Sequence, residues 1–273
     1  MNLDRPTLPG GLPFAGSLRR DFAFRPIDGR LELQLADVLD AAESTPEAVS
    51  GALMASLASL CGAVPERAAV DALCVADRQF LMRHLASLLT RHSGWFEAAC
   101  SHCSARFDFP LDPLALPAKP AGEGFPVARV RIGQRQVRLR VPSGGDQIRV
   151  VGLPEAGRRE ALLRGLELIE AGTASGLPGR LGPEQMARCE AALEAVAPEL
   201  ACQVLAECPD CGGQNRVEVD PYRVLAHDPD QTLQDVHHLA WYYHWAEAEI
   251  LAMPRARRAR YLQLIDAARG MSQ

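Results

Sequence analysis

The sequence predicts an α+β protein: two similar units of strands and helices, joined through one shared four-cysteine site and followed by a helical C-terminal tail. Three observations predict this fold. Two Cys-x-x-Cys pairs occur at an offset of 108 residues, the sequence around them is repeated, and the composition changes after the second pair. With 48% hydrophobic and 23% charged residues, the 273-residue chain has the composition of a globular protein.

The composition also excludes several functional classes. A formal net charge of −5 argues against a dedicated nucleic-acid coat protein, which is normally basic. Lys119 is the single lysine and lies in Ala-Lys-Pro, so a GxxxxGK[ST] phosphate loop and lysine-based catalysis are absent. The HExxH and GxSxG motifs of common hydrolases are missing as well. We therefore predict that the protein is not an enzyme.

The two cysteine pairs carry the strongest chemical signal. The first is Cys100 and Cys103, the second is Cys208 and Cys211, and strand-like runs flank both. A Cys-x-x-Cys at the bend of a hairpin directs two thiolates to one point, and two such bends complete a tetrahedral site. The four cysteines are thus predicted to hold one structural Zn²⁺, with His102 not a ligand. Two alternatives stay open, a catalytic dithiol and two hairpins held by packing alone.

The repeat predicts the domain organisation. Asp112-Pro113 and Asp220-Pro221 follow the two pairs at the same offset. The predicted segments are an N-terminal extension (1–24), a first α+β unit (25–115), a linker (116–126), a second α+β unit (127–221) and the helical tail (222–273).

Each unit is expected to begin with alternating strand residues, continue in helices and end in its cysteine hairpin. In the first unit these are a strand at Leu31, Leu33 and Leu35, helices 46–61 and 71–91, and hairpin strands 95–99 and 106–111. In the second unit they are strands 127–132 and 136–141, helices 155–171 and 183–197, and hairpin strands 202–206 and 215–219.

One uncharged stretch, residues 48–65, is long enough to be compared with a membrane span. Its larger apolar residues recur on one side of a helix, which favours an amphipathic helix against a core. No secretory signal is visible at the N-terminus. We therefore expect no membrane span and a cytoplasmic location.

The tail has two parts of opposite charge. Residues 228–253 contain five acids and no Lys or Arg, whereas 254–273 contain five arginines and one acid. Both parts are predicted to be helical, with a break at Met253-Pro254. The predicted partner-binding residues are Trp241, Tyr242, Trp245, Arg255, Arg257 and Arg258. Two alternatives are equally open. The aromatic residues can pack on the chain's own core, and the arginines can form a solvated helix face.

Several motifs occur in a recognisable order around the cysteine pairs: Leu8-Pro9-Gly10-Gly11-Leu12, Phe24-Arg25-Pro26-Ile27-Asp28-Gly29, Asp77-Arg78-Gln79-Phe80-Leu81, residues 138–147 and the tail segment 238–261. This order resembles the baseplate hub assembly (chaperone) proteins of T-even-like contractile phages and of phage-derived extracellular contractile injection systems. The chain departs from that pattern at Cys100-Ser-His-Cys103, which lacks a proline, and at Asp28-Gly29, which replaces Thr-Gly. No ligand is lost.

The resemblance implies assembly rather than catalysis. It implies contacts with baseplate hub, spike or tail-tube initiation proteins in the cytoplasm of the producing bacterium, and leaves open whether the chain stays in the finished particle. Two other functions remain open from the residues alone. One is a nucleic-acid-binding zinc ribbon, although the negative net charge makes nucleic acid a weaker expectation, and the other is a redox-sensing dithiol protein.

Overall fold

The computed structural model describes residues 6–14, 16–89, 94–169, 176–226 and 229–270. These residues form a mixed α and β structure. The N-terminal elements are β1 (Leu12–Phe14), β2 (Ser17–Arg19), β3 (Phe22–Phe24), α1 (Gly29–Asp40), α2 (Thr45–Ser56), β4 (Leu57–Leu60), α3 (Arg67–Ala72) and α4 (Val75–Leu89).

The middle of the chain forms β5 (Trp95–Ala99), β6 (Arg106–Pro110), β7 (Ala118–Lys119), β8 (Val127–Ile132), β9 (Arg135–Arg140), α5 (Gly144–Val151), α6 (Glu155–Leu166) and α7 (Pro183–Val196). The C-terminal elements are β10 (Glu199–Leu200), β11 (Gln203–Glu207), β12 (Gln214–Glu218), α8 (Pro229–Tyr243), α9 (Glu247–Leu251) and α10 (Arg255–Gly270). Among the described helices, none has both the length and the apolar character that a membrane-spanning segment requires.

The sheets are small. Throughout the described ranges, the strands pair two at a time and antiparallel: β1 with β2, β3 with β4, β5 with β6, β7 with β10, β8 with β9, and β11 with β12. The hairpin β8–β9 and helix α7 lie where the sequence predicts them, and β7 lies inside the predicted linker. Since such ribbons bury little by themselves, the helices supply most of the core.

The apolar core is divided into clusters that follow the chain. Leu53, Leu81 and Leu85 belong to the largest, which is built mainly from residues 8–89. Leu139 and Leu166 belong to a second, built from hairpin β8–β9 with α6 and α7. Smaller clusters lie between the cysteine hairpins and within the tail helices. The boundaries of the five predicted segments stay predictions.

The predicted strand at residues 31–35 is wrong, because this segment is part of α1. Asp28 accepts a hydrogen bond from the backbone N–H of Leu31 at 2.9 Å and so caps the helix start. Leu31 and Leu35 are one helical turn apart and both are buried, so the leucine spacing also suits a helix.

Three predicted helices are shorter in the structure. Residues 57–60 leave the predicted helix 46–61 because they pair with β3 as strand β4. The helix predicted at 71–91 is divided near Leu73 into α3 and α4, and residues 90–93 lie outside the described residues. Helix α6 ends at Leu166, and the last two residues of the predicted helix 155–171 also lie outside the described residues.

Two fully buried arginines anchor helix contacts in the same way. Arg78 in α4 lies against Gly144 at the start of α5, and Arg258 in α10 lies against Gly29 at the start of α1. A side chain at either glycine would collide with the guanidinium group. An isolated antiparallel β-bridge lies next to each contact. Cys74, four residues before Arg78, pairs with Ser143, and Pro254, four residues before Arg258, pairs with Asp28.

Candidate metal centre

The two Cys-x-x-Cys bends have the same backbone geometry. In the first, Cys100 N donates to Ala105 O at 2.8 Å and Ser104 N donates to Cys100 O at 2.9 Å. In the second, Cys208 N donates to Gly213 O at 3.0 Å and Gly212 N to Cys208 O at 2.9 Å. The residue after the second cysteine of each pair has a left-handed backbone conformation, with φ 63° at Ser104 and 69° at Gly212.

Helix α4 supports both cysteine hairpins at their ends. Asp112 Oδ1 accepts a hydrogen bond from Leu114 N at 2.9 Å, and Asp220 Oδ1 accepts one from Tyr222 N at 2.8 Å. The short 3-10 helices that follow these two aspartates both pack on α4. Because both hairpins rest on the same helix, they lie facing each other.

The four predicted cysteines come together at the meeting point of the hairpins. All four Sγ atoms lie within 4.8 Å of one another. Cys100 Sγ is 3.6 Å from Cys211 Sγ, and Cys103 Sγ is 3.8 Å from Cys208 Sγ. A tetrahedral ion with metal–sulfur bonds of about 2.3 Å separates its sulfurs by about 3.8 Å. The cluster therefore fits one four-coordinate metal ion.

The site has a buried side and an exposed side. Cys100 and Cys208 are buried, whereas Cys103 and Cys211 are exposed. Phe107 and Ala206 pack beside the two buried cysteines and form a small apolar cluster with them. This apolar cluster is small for a structure of four strands, so a bound metal ion would supply much of the stability of the two paired hairpins.

The electrostatics of the thiols also fit a cation. Burial raises the pKa of Cys100, but the backbone N–H groups of Cys103 and His102 and the amide of Asn215 lower it to about 6. The backbone N–H of Gly213 favours the Cys211 thiolate, yet hydrogen bonding with Cys103 and Cys100 raises the pKa of Cys211 to about 12. Four adjacent thiolates need a positive charge, which a coordinated metal ion provides.

Asn215 connects the two bends beside the sulfurs. Its Oδ1 accepts hydrogen bonds from Ser101 N at 2.8 Å and Ser101 Oγ at 3.0 Å. Its Nδ2 donates to Gly213 O at 2.8 Å and to Cys100 Sγ at 3.6 Å. Asn215 was not among the site residues predicted from the sequence. The signal was available, because Asn215 is a polar residue at the repeat position of Phe107, where the strand faces the core.

His102 lies beside the cluster but is not one of its members. Its Nε2 is 3.1 Å from Gln214 O, and its ring lies against Gly213. Four sulfurs fill a tetrahedral site and leave no open position, which is typical of a structural metal site. An all-sulfur donor set is the kind that binds zinc or iron in proteins.

The structure separates the predicted partner-binding aromatic residues into two groups. Trp241 and Tyr242 are 72% and 39% exposed. Trp245 instead stacks on Tyr243 at 4.6 Å between ring centroids and meets Tyr261 edge-on at 4.9 Å. It therefore belongs to the tail's own core, as the alternative interpretation expects for the aromatic residues.

The arginines are separated in the same manner. Arg258 is fully buried and Arg255 is mostly buried, and both form ion pairs with Glu32, at 2.5 and 2.9 Å. Arg257 is exposed. The prediction that Arg258 binds a partner is therefore corrected, because its buried guanidinium group is paired with Glu32. Glu32 was not predicted from the sequence, because its partners follow it by 200 residues or more.

The fold and the site together define a mixed α and β protein of small antiparallel sheets with a four-cysteine cluster of metal-binding geometry. Comparison of the chain with protein-family models, with curated proteins and with solved structures gives no match.

Proposed function

We propose that the chain is a zinc-stabilised, non-enzymatic assembly factor or minor structural component of the baseplate hub in a contractile phage-like tail or injection system. It would act in the cytoplasm of the producing bacterium by contacting hub, spike or tail-tube initiation proteins. Zinc is the proposed metal because a closed four-thiolate site is its common structural arrangement.

The observation that carries this proposal is that the motifs behind the family resemblance, although far apart in sequence, contact one another. Asp77 Oδ1 and Oδ2 accept hydrogen bonds from Gly10 N and Gly11 N, both at 2.8 Å. The next residue, Arg78, lies against Gly144. A set of motifs that meets in space behaves as one structural unit, which supports reading the motifs as a family signature.

The same pattern includes the tail. Gly29, from the second motif, lies against Arg258 and Leu251 in the tail segment of the resemblance. The helices of the tail are thereby fixed to α1, with Trp241 and Tyr242 on the outside. A rigid scaffold with exposed aromatic residues is the arrangement expected of a protein that acts by binding other proteins.

The test is affinity purification of the tagged full chain from cells that express the tail gene cluster, with the captured proteins identified by mass spectrometry. Recovery of hub, spike or tube-initiation proteins is the expected result. Trp241→Ala should reduce that recovery, and Trp95→Ala is the matched control because Trp95 is also exposed, at 66%, but lies in a cysteine hairpin. Recovery of nucleic acid without tail proteins would overturn the proposal.

Point variants are better than removal of the tail. Deletion of residues 230–273 would remove Thr232, Arg255 and Arg258 from Glu32 and uncover the face of α1 on which the tail helices pack, so lost binding would not separate partner contact from a damaged fold. The nucleic-acid-binding alternative has less support in the structure. It depends on the basic cluster 255–260, and two arginines of that cluster, Arg255 and Arg258, form ion pairs with Glu32.

A further inference from the structure

The outer face of α8 carries an open groove near its C-terminal end. His237, Ala240, Trp241 and His244 line this surface, which we name the α8 groove. The His237 ring lies 6.4 Å from Trp241, and the indole is among the most exposed large apolar side chains of the described residues. A large aromatic side chain exposed in a groove is typical of a binding anchor.

The residue that ends the groove has an unfavourable backbone conformation. His244 follows the last residue of α8 and has a φ of 55°. Glycine is preferred at such a left-handed helix end, since a Cβ atom makes this conformation costly. A histidine at this position keeps an exposed imidazole in the groove at the expense of stability, which points to a use for the side chain.

Three features of the groove and its surroundings favour a positively charged ligand. The face of an indole ring carries partial negative charge, and the C-terminal end of a helix presents unpaired carbonyl groups. Glu247 and Glu249, both exposed, begin the next helix within six residues of His244. The whole stretch 229–253 contains no Lys or Arg. The chemistry that complements this surface is a cation.

The chain already places arginines of its own on this part of the tail. The Arg269 guanidinium lies 5.5 Å from the centre of the Tyr242 ring. Arg30 Nη2 donates to the carbonyl of Ala248 at 3.2 Å. Trp241 adjoins Tyr242, and indole is the best aromatic ring for binding a cation.

We propose that the α8 groove binds an arginine-bearing segment of a partner protein, with the guanidinium over the Trp241 ring between His237 and His244. This inference deepens the partner-binding role in the proposed function. Arginine suits the groove better than lysine because its planar group stacks on an aromatic face while its N–H groups reach carbonyl and carboxylate oxygens.

The experiment uses the purified full chain labelled with ¹⁵N and follows its indole N–H signals by NMR. The probe is a short peptide of Arg, Leu and Ala, and the matched control peptide carries citrulline, which keeps the shape of arginine without the charge. The Arg peptide should shift the Trp241 signal and leave that of Trp95 unchanged. The citrulline peptide should bind at least about fivefold more weakly. No shift at Trp241, or equal binding of both peptides, would overturn the proposal.

Two variants separate binding from folding. Trp241→Ala should weaken binding of the Arg peptide by about fivefold or more, whereas Trp95→Ala should not change it. His244→Gly should raise the melting temperature, because it relieves the left-handed backbone, and should weaken binding. Equal binding by wild type and His244→Gly would exclude the imidazole from the site.

A second copy of the chain is the main competing occupant, since Arg257 and Arg260 of α10 are exposed. Concentration-dependent self-association that disappears in Trp241→Ala would assign the groove to a second copy and overturn the proposal of a separate partner. Because these measurements need no tail proteins, they can fail while the proposed hub function holds, and the reverse is equally observable.

Discussion

Arg258 donates a hydrogen bond of 2.5 Å to the carboxylate of Glu32, although 226 residues separate the two in sequence. Both side chains are buried. Thr232 and Arg255 donate to the same carboxylate at 2.7 and 2.9 Å, and Asp235 lies 3.7 Å from Arg258 Nε. This cluster fixes the position of the tail helices on α1.

Replacement of Arg258 by methionine should lower the free energy of unfolding by about 3–5 kcal/mol, because it leaves Glu32 and Asp235 buried with one fewer positive charge. Urea unfolding measures the change. Arg257→Met, one residue earlier but exposed, is the control and should change stability by no more than about 0.5 kcal/mol. Similar losses for both variants would show that the buried cluster does not anchor the tail.

Acid should weaken the same cluster. Burial opposes ionisation of Glu32, but the Thr232 hydrogen bond and the charges of Arg258 and Arg255 hold its pKa below the ordinary value of 4.5. The folded state therefore favours the carboxylate. The resulting stability is present above about pH 4.5 and is lost as the pH falls through the lowered folded pKa.

Urea unfolding of wild type and Glu32→Gln, from neutral pH down to about pH 3, tests this expectation. Wild type should lose more stability over this range than the variant, which cannot titrate at residue 32. Parallel pH profiles for the two proteins would contradict the assigned role of Glu32.

The two left-handed positions beside the cysteines predict opposite effects of exchanging their residues. Ser104→Gly should raise the free energy of unfolding by about 1 kcal/mol, and Gly212→Ala should lower it by a similar amount. A Cβ atom at Gly212 would meet nothing closer than 4.0 Å, so only backbone strain enters. The same sign for both substitutions would refute the equivalence of the two bends.

One metal ion should be bound per chain through all four cysteines. Cys208→Ser should abolish metal content, measured by mass spectrometry of the purified protein, and lower the melting temperature. Amide exchange in β5–β6 and β11–β12 should accelerate together, since each hairpin supplies two ligands. Cys202→Ser, outside the cluster, is the control for metal content. Loss of protection in only one hairpin would disprove the shared site.

Asn215→Ala should weaken metal binding by about 10–100-fold, as does loss of other residues that support metal ligands. The variant removes the hydrogen bonds to Ser101 and Cys100 while keeping every ligand. Competition with a chelator measures the affinity. Gln214→Ala is the control, because the Gln214 side chain contacts exposed Glu207. Equal affinities of the two variants would assign Asn215 to packing alone.

The cysteine hairpins were predictable from sequence because their signal is local. The spacing of two residues between cysteines and the flanking strand-like runs predict the bends, and the repeat offset predicts that they match. Asn215 was not predicted: its place at the repeat position of Phe107 marks a polar residue where the strand faces the core, but it does not reveal which groups that residue contacts. The segment 31–35 was misassigned because Leu31 and Leu35, four residues apart, fit both the alternation of a strand and the turn of a helix, and the Asp28 cap decided between them.

Patterns along the chain are enough to identify the cysteines that can share a metal ion, the positions of β8–β9 and α7, and a helical tail divided in charge. The burial of Arg258 and the exposure of Trp241 follow from tertiary packing instead. Spacing and periodicity act over a few residues along the chain. The pairing of Arg258 with Glu32 depends on which surfaces the fold presses together, and burial of a charge is tolerated only where its opposite charge arrives from a distant segment.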